Sequence, residues 1–139
     1  MRSTVGQWMT WGLRSAPPDR PLLAALATMD QEGVHHLAVV EDGQLRGLLA
    51  AEGGLLSLWR DSELRKRLEG VTLGQAMTSA PLPTVQPEVR LRDAAQCMLA
   101  YGATALVVQD PQGELVGIIT ARDLVSALIA GGAVRHPED

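Results

Sequence analysis

Apolar positions in the second half of the chain fall at helical spacing over Leu91, Ala94, Ala95, Met98 and Leu99. Gly102 follows, where a helix C-cap glycine belongs. Two short apolar runs come next, Ala105 to Gln109 and Leu115 to Ile119, and both read as strands. Asp110-Pro111-Gln112-Gly113 joins them, with Pro second and Gly fourth, as a type I turn prefers. From Thr120 an apolar helix runs through Leu124, Leu128 and Ile129 and ends at Gly131-Gly132. Arg135 to Asp139 reads as a frayed tail.

The first half keeps the same order. Leu22, Leu23, Leu26 and Met29 mark a helix ending near Gly33. Leu37 to Glu41 and Gln44 to Ala50 are strands joined at Asp42-Gly43, a hairpin signal. A last helix starts poorly at Ala51-Glu52-Gly53-Gly54 and improves through Leu55, Leu56, Leu58 and Trp59. Arg60 to Gly70 carries alternating charge and reads as a solvated helical linker rather than a binding patch.

The halves also open alike. Val5-Gly6-Gln7-Trp8-Met9-Thr10 returns as Leu73-Gly74-Gln75-Ala76-Met77-Thr78. The chain therefore divides into a first repeat (3–60), a linker (61–70), a second repeat (71–131) and a tail (132–139). Two similar units with a cleft between them are expected, and halves this small are expected to share one core.

Composition narrows the function. The chain has 139 residues, 46% hydrophobic and 20% charged, with a net charge of −4. Its basic residues are dispersed, which argues against a nucleic-acid surface. No apolar run approaches the ~18 residues of a membrane span, and Gln7 and Thr10 interrupt any signal core. The single Cys97 lies on an apolar helical stretch, forms no internal disulfide and reads as a buried residue rather than a nucleophile. The cytoplasm is the expected compartment. His35-His36 chelates badly, because neighbours on a strand point to opposite faces. No Cys–His zinc spacing, phosphate-loop glycine motif or nucleophile–base set is visible, so no metal site and no enzyme are expected.

The Gly-Gln-x-Met-Thr openings and Gly117-Ile118-Ile119-Thr120-Ala121-Arg122-Asp123-Leu124 resemble a tandem pair of cystathionine-β-synthase (CBS) domains, a Bateman module. The resemblance covers about residues 3 to 130 and is most specific from Leu106 through Leu128. It implies an α/β (α+β) fold of two repeats. Each repeat has a small three-stranded sheet and two helices, packed around a pseudo-twofold axis. It also implies regulatory binding of adenosine nucleotides rather than catalysis, in a homodimer that acts on a separate regulated protein.

By that resemblance Thr120 and Asp123 line the nucleotide cleft. An ionised carboxylate accepts hydrogen bonds from two ribose hydroxyls, and a threonine at a helix start donates to a phosphate beside unpaired N–H groups. The same Thr-x-x-Asp is also a capping-box arrangement that needs no ligand. In the first repeat Ala50 and Gly53 stand where Thr120 and Asp123 stand, so at most one well-formed site per chain is expected. The base would lie against Thr10 to Leu13 and Val34 on one side and Thr104, Ala105 and Ile118 on the other. Trp11 either stacks on the base or, with Trp8, covers the core.

Thr104 and Ala105 are not basic, whereas relatives often carry cations there. His35 and His36 hold the matching positions of the first repeat. Arg122, Arg14 and Arg46 are the available cations. The resemblance implies AMP, ADP or ATP, and the missing cations leave room for S-adenosylmethionine or NAD. A ligand-free dimerisation or protein-interaction domain is the alternative.

Overall fold

Among the described residues, the long apolar stretches form the elements their spacing predicts. In a computed structural model, which describes residues 2–51, 61–77 and 82–131, the first repeat contains α2 (Leu22–Glu32), β3 (His36–Glu41) and β4 (Gln44–Ala50). Ahead of them come α1 (Val5–Trp8), β1 (Thr10–Trp11) and β2 (Ser15–Ala16). The linker forms α3 (Ser62–Leu68). The second repeat holds α4 (Leu73–Ala76), β5 (Thr84–Val85), α5 (Leu91–Tyr101), β6 (Ala105–Gln109), β7 (Leu115–Thr120) and α6 (Ala121–Gly131). The expected last helix of the first repeat, with Gly53 and Leu55 to Trp59, lies outside the described residues. So do Thr78 and the tail from 132 to 139.

Local chemistry explains the boundaries. Helices α2 and α5 both end at a glycine in the left-handed region, Gly33 (φ 70°) and Gly102 (φ 63°). Asp42 and Gly43 both have positive φ, which a two-residue hairpin turn requires. The Asp110 turn closes as expected, with the Gly113 N–H donating to the Asp110 carbonyl at 2.9 Å. Asp61 caps α3 by accepting from the Glu63 and Leu64 N–H groups.

The packed units are cut differently from the sequence repeats. One unit is split, joining residues 1–13 to 81–139; the other, 14–80, is contiguous. The opening motifs make this division. In the split unit Val5 is fully buried, and its N–H donates to the Val89 carbonyl at 2.8 Å. The Gly6 N–H donates to Pro87 at 2.7 Å, and a Cβ on Gly6 would stand 3.2 Å from Pro87 Cβ. In the contiguous unit Leu73 is buried likewise, donating to Arg20, while Gly74 meets Pro18. Gln7 and Gln75 each accept the N–H of the threonine three residues earlier, at 2.9 Å. The repeated motif is thus a one-turn plug: an apolar anchor, a glycine for close approach and a glutamine cap.

Among the described residues each unit has a core cluster of its own. In the contiguous unit Leu22, Leu26, Met29, Leu37, Val39, Leu49 and Leu73 cluster between α2 and the sheet β2-β3-β4. In the split unit Val5, Met9, Leu91, Met98, Leu106, Val108 and Ile119 do the same with the sheet β1-β7-β6-β5. The plug supplies each half-repeat with apolar volume that it lacks alone. Both sheets pair a parallel edge strand with an antiparallel hairpin, as β2 with β3–β4 and β5 with β6–β7. The split unit adds β1, antiparallel to β7.

Candidate functional site at the start of helix α6

Helix α6 begins where β7 leaves the sheet. Thr120 is its N-cap and Asp123 its third residue. The Thr120 N–H donates to Asp123 Oδ2 at 2.8 Å, and its hydroxyl donates to the same oxygen at 3.0 Å. The Asp123 N–H returns a bond to Thr120 Oγ1 at 3.3 Å. The pair is a reciprocal capping box, half-buried, at the head of an 11-residue helix. Both bonds to the carboxylate fall on Oδ2, so Thr120 leaves Oδ1 unused. An ionised carboxylate keeps acceptor capacity there.

Sheet register then assigns neighbours. Residues directly opposite in an antiparallel pair share a face. Thr120 pairs with Ala105, while Ile118 pairs with Val107 on one side and with Thr10 on the other. One face of the split unit's sheet therefore carries Thr10, Ala105, Ile118 and Thr120. The Ala121 N–H donates to the Thr104 carbonyl at 2.9 Å, which holds the start of β6 against the helix head. Thr104 is exposed and Ala105 half-buried; neither brings charge. Arg122 is exposed in the first turn of α6, the basic residue of this group.

The approach of β1 depends on Gly117. A Cβ at that position would collide with the Thr10 carbonyl oxygen and the Met9 methyl group. The Gly12 N–H donates to Val116 at 2.9 Å and continues the pairing. The glycine thus does for Thr10 what the cap does for Asp123: it fixes the side chain's position through the backbone.

Trp11 falls elsewhere. It pairs with Gly117 and so occupies the opposite face from Thr10, Ile118 and Thr120. Its indole N–H donates to the Gly6 carbonyl at 3.2 Å, and the residue is 57% exposed. Trp8, by contrast, packs on the split unit's core. Leu13 is half-buried at the end of the split unit's opening segment. Val34 belongs to the contiguous unit, where it packs on the core and its N–H donates to Met29. The backbone partners missed by sequence reading are Gly117 and the Thr104 carbonyl. A glycine inside an apolar strand was their one signal.

In the contiguous unit Ala50 pairs with His36 as Thr120 pairs with Ala105, and Ala51 donates to His35 as Ala121 donates to Thr104. The backbone frame is duplicated, but Ala50 has no hydroxyl. Among the described residues no three His, Cys, Asp or Glu side chains gather as a metal site, and no helix is long and apolar enough to cross a membrane.

Comparison with known proteins agrees with this duplicated frame. YhcV of Bacillus subtilis, a CBS domain-containing protein, is 31% identical over 125 residues, covering 88% of this chain and 83% of that protein. CBSX2 from Arabidopsis thaliana, a CBS-pair protein, matches with a TM-score of 0.70 at 29% identity, over 95% of this chain and 98% of that one. CBSX2 in complex with AMP matches with a TM-score of 0.67 at 31% identity, over 94% and 98%. The CBS domain pair of MJ0100, in complex with 5-methylthioadenosine and S-adenosyl-L-methionine, shares the fold at 21% identity (TM-score 0.69, covering 95% and 99%). The CBS domain model itself matches residues 5–52 and 73–130, and the chain belongs to the CBS domain family as a tandem pair.

Proposed function

We propose that this chain is a regulatory module that senses an adenosine ligand through one site per chain, built on Thr120 and Asp123. The observation that carries the reading is the Thr120–Asp123 pair, half-buried at a helix head, with one carboxylate oxygen unused by the cap. Ribose hydroxyls donate to Asp123, and Thr120 turns its hydroxyl from the carboxylate to a phosphate. Ile118, Ala105, Thr104, Thr10 and Leu13, all of the split unit, wall the base. Arg122 meets the phosphate. The AMP complex of CBSX2, 31% identical to this chain, supports the ligand class. AMP, ADP, ATP, S-adenosylmethionine and NAD remain the panel. The first repeat contributes no equivalent site, because Ala50 cannot donate.

The module acts as a homodimer on a separate regulated protein. Leu99 (83% exposed) and Ile129 (77%) put apolar surface on the outside of α5 and α6, beside Val125 and Leu128, and this favours self-association. Ligand binding shifts the arrangement of repeats or chains only by favouring one arrangement over another. The ligand-free interaction domain is the second reading, favoured by the cap being complete without a ligand. Calorimetric titration with the nucleotide panel separates the two. Heat that saturates in wild type and vanishes in Asp123→Ala supports sensing; no heat from any of them supports the second reading.

A further inference from the structure

The contiguous unit contains a cavity of about 180 Å³ between α2 and the β2–β3 edge of its sheet. Its floor is apolar and buried: Ala25, Met29 and Leu37. The rest of its lining includes Arg14, Arg20, Thr28 and Glu32.

The duplication supplies an internal comparison. Gly33 corresponds to Gly102, and the Ser15–Ala38 pair to Thr84–Val107. In that register the floor residues become Ala94, Met98 and Leu106, the same types and equally buried. Arg14, Arg20, Thr28 and Glu32 become Pro83, Val89, Cys97 and Tyr101. The fold therefore asks for the floor twice and for the polar lining only once.

Charge accounting picks out one group. Arg14 Nε lies 3.1 Å from Glu32 Oε2, so these two offset each other. The Thr28 hydroxyl donates to the Ala24 carbonyl at 3.1 Å. Arg20 makes no ion pair among the described residues and is the uncompensated cation. One spare positive charge in a lining that also holds the Glu32 carboxylate matches a monoanion and disfavours a dianion. The volume is the room of about six waters. That suits an acid of about five carbons and falls short of the ~300 Å³ at which drug-sized pockets begin.

We propose that this cavity binds a small monocarboxylate with a short apolar chain. The carboxylate meets Arg20, whose planar fork suits it, and the chain lies on Ala25, Met29 and Leu37. The cavity is lined by residues of the contiguous unit, and the proposal does not rest on nucleotide binding.

The test uses the full chain with 13C-labelled methionine methyl groups. Met29 reports the cavity, and Met98, its counterpart, is the internal control. Isovalerate is the probe, isoamyl alcohol its uncharged analogue and inorganic phosphate the competing anion. The expected result is a saturable shift of Met29 with isovalerate, none at Met98, and affinity weakened at least about tenfold in Arg20→Gln, as for loss of a charge-assisted pair. The Arg20 carbonyl that Leu73 uses is kept in that variant. No saturable Met29 shift overturns the proposal. So does equal response to the alcohol, displacement of isovalerate by phosphate, a matching shift at Met98, or unchanged affinity in Arg20→Gln.

Discussion

Replacing Gly117 by alanine puts a methyl group where the Thr10 carbonyl oxygen and the Met9 side chain already sit. The methionine end can swing aside, but the carbonyl is backbone. Two responses are open. If β1 stays, the overlap costs about 1–3 kcal/mol, the usual range for overpacking. If β1 lifts away, it loses its pairing with β7 and the Gly12–Val116 bond, at about 1 kcal/mol per hydrogen bond. It also exposes part of Met9, now 8% accessible, whose full burial is worth about 1.5–3 kcal/mol. The first response is the cheaper, so the expected loss is about 2 kcal/mol. Domains of this size hold about 5–15 kcal/mol in total, so the loss is readily measured. Urea unfolding followed by circular dichroism reads it as a midpoint lowered by about 1 M at unchanged slope. Gly131→Ala is the control. Its new methyl meets nothing within 4 Å among the described residues, and at this helical position, whose φ is not positive, alanine is favoured over glycine. It should leave the midpoint unchanged or raise it. If the two variants unfold together, Gly117 does not set the approach of β1, and the placement of Thr10 beside Ile118 loses its basis.

Other expectations follow from the same contacts. Leu73→Ala should cost about 3 kcal/mol as a buried truncation. Hydrogen exchange should show the loss in α2, the helix of the contiguous unit, and not in α5 of Leu73's own sequence repeat. Thr120→Ala removes the helix cap and should lower stability by about 1 kcal/mol by chemical denaturation, whereas Thr120→Ser should keep it. If the chain self-associates through α6 as proposed, Ile129→Asp should abolish concentration-dependent association in sedimentation velocity without lowering the melting temperature, since the side chain is 77% exposed.

Much of this structure was legible along the chain. Helical spacing of apolar residues marked α2 and α5, which bury one face, and short apolar runs marked β3, β4, β6 and β7; β3, β6 and β7 bury residues on both faces. Gly33 and Gly102 marked helix ends because left-handed backbone there suits glycine. Pairing across the chain was not legible. β1 is two residues long and carries no period, and its partner β7 lies nearly a full chain length away. The opening motif was visible as a repeat, but the repeat assigned each plug to the sequence that follows it. Packing places Val5 with Leu91 and Leu73 with Leu22.

The site shows the same division. Thr120 and Asp123 were readable because a capping box is a local motif, and the cap forms as its spacing predicts. The grouping with Ala105 and Thr10 follows from strand register, which one residue of slip would invert. Trp11 illustrates this: it lies next to Thr10 in sequence yet on the other face of the sheet. Along the chain its indole reads either as stacking on a base or as covering the core, and in the structure its N–H meets the Gly6 carbonyl.

Sensing through Asp123 is tested most directly by thermal denaturation of wild type and Asp123→Ala with AMP, ADP, ATP, S-adenosylmethionine and NAD at matched concentration. A ligand at 100 times its dissociation constant adds about 2.7 kcal/mol to the folded state, a rise on the order of 5–10 °C. The expected result is such a rise with at least one adenosine ligand in wild type and its loss in Asp123→Ala. A wild type that no ligand stabilises, or a variant stabilised as strongly as wild type, would contradict the assignment.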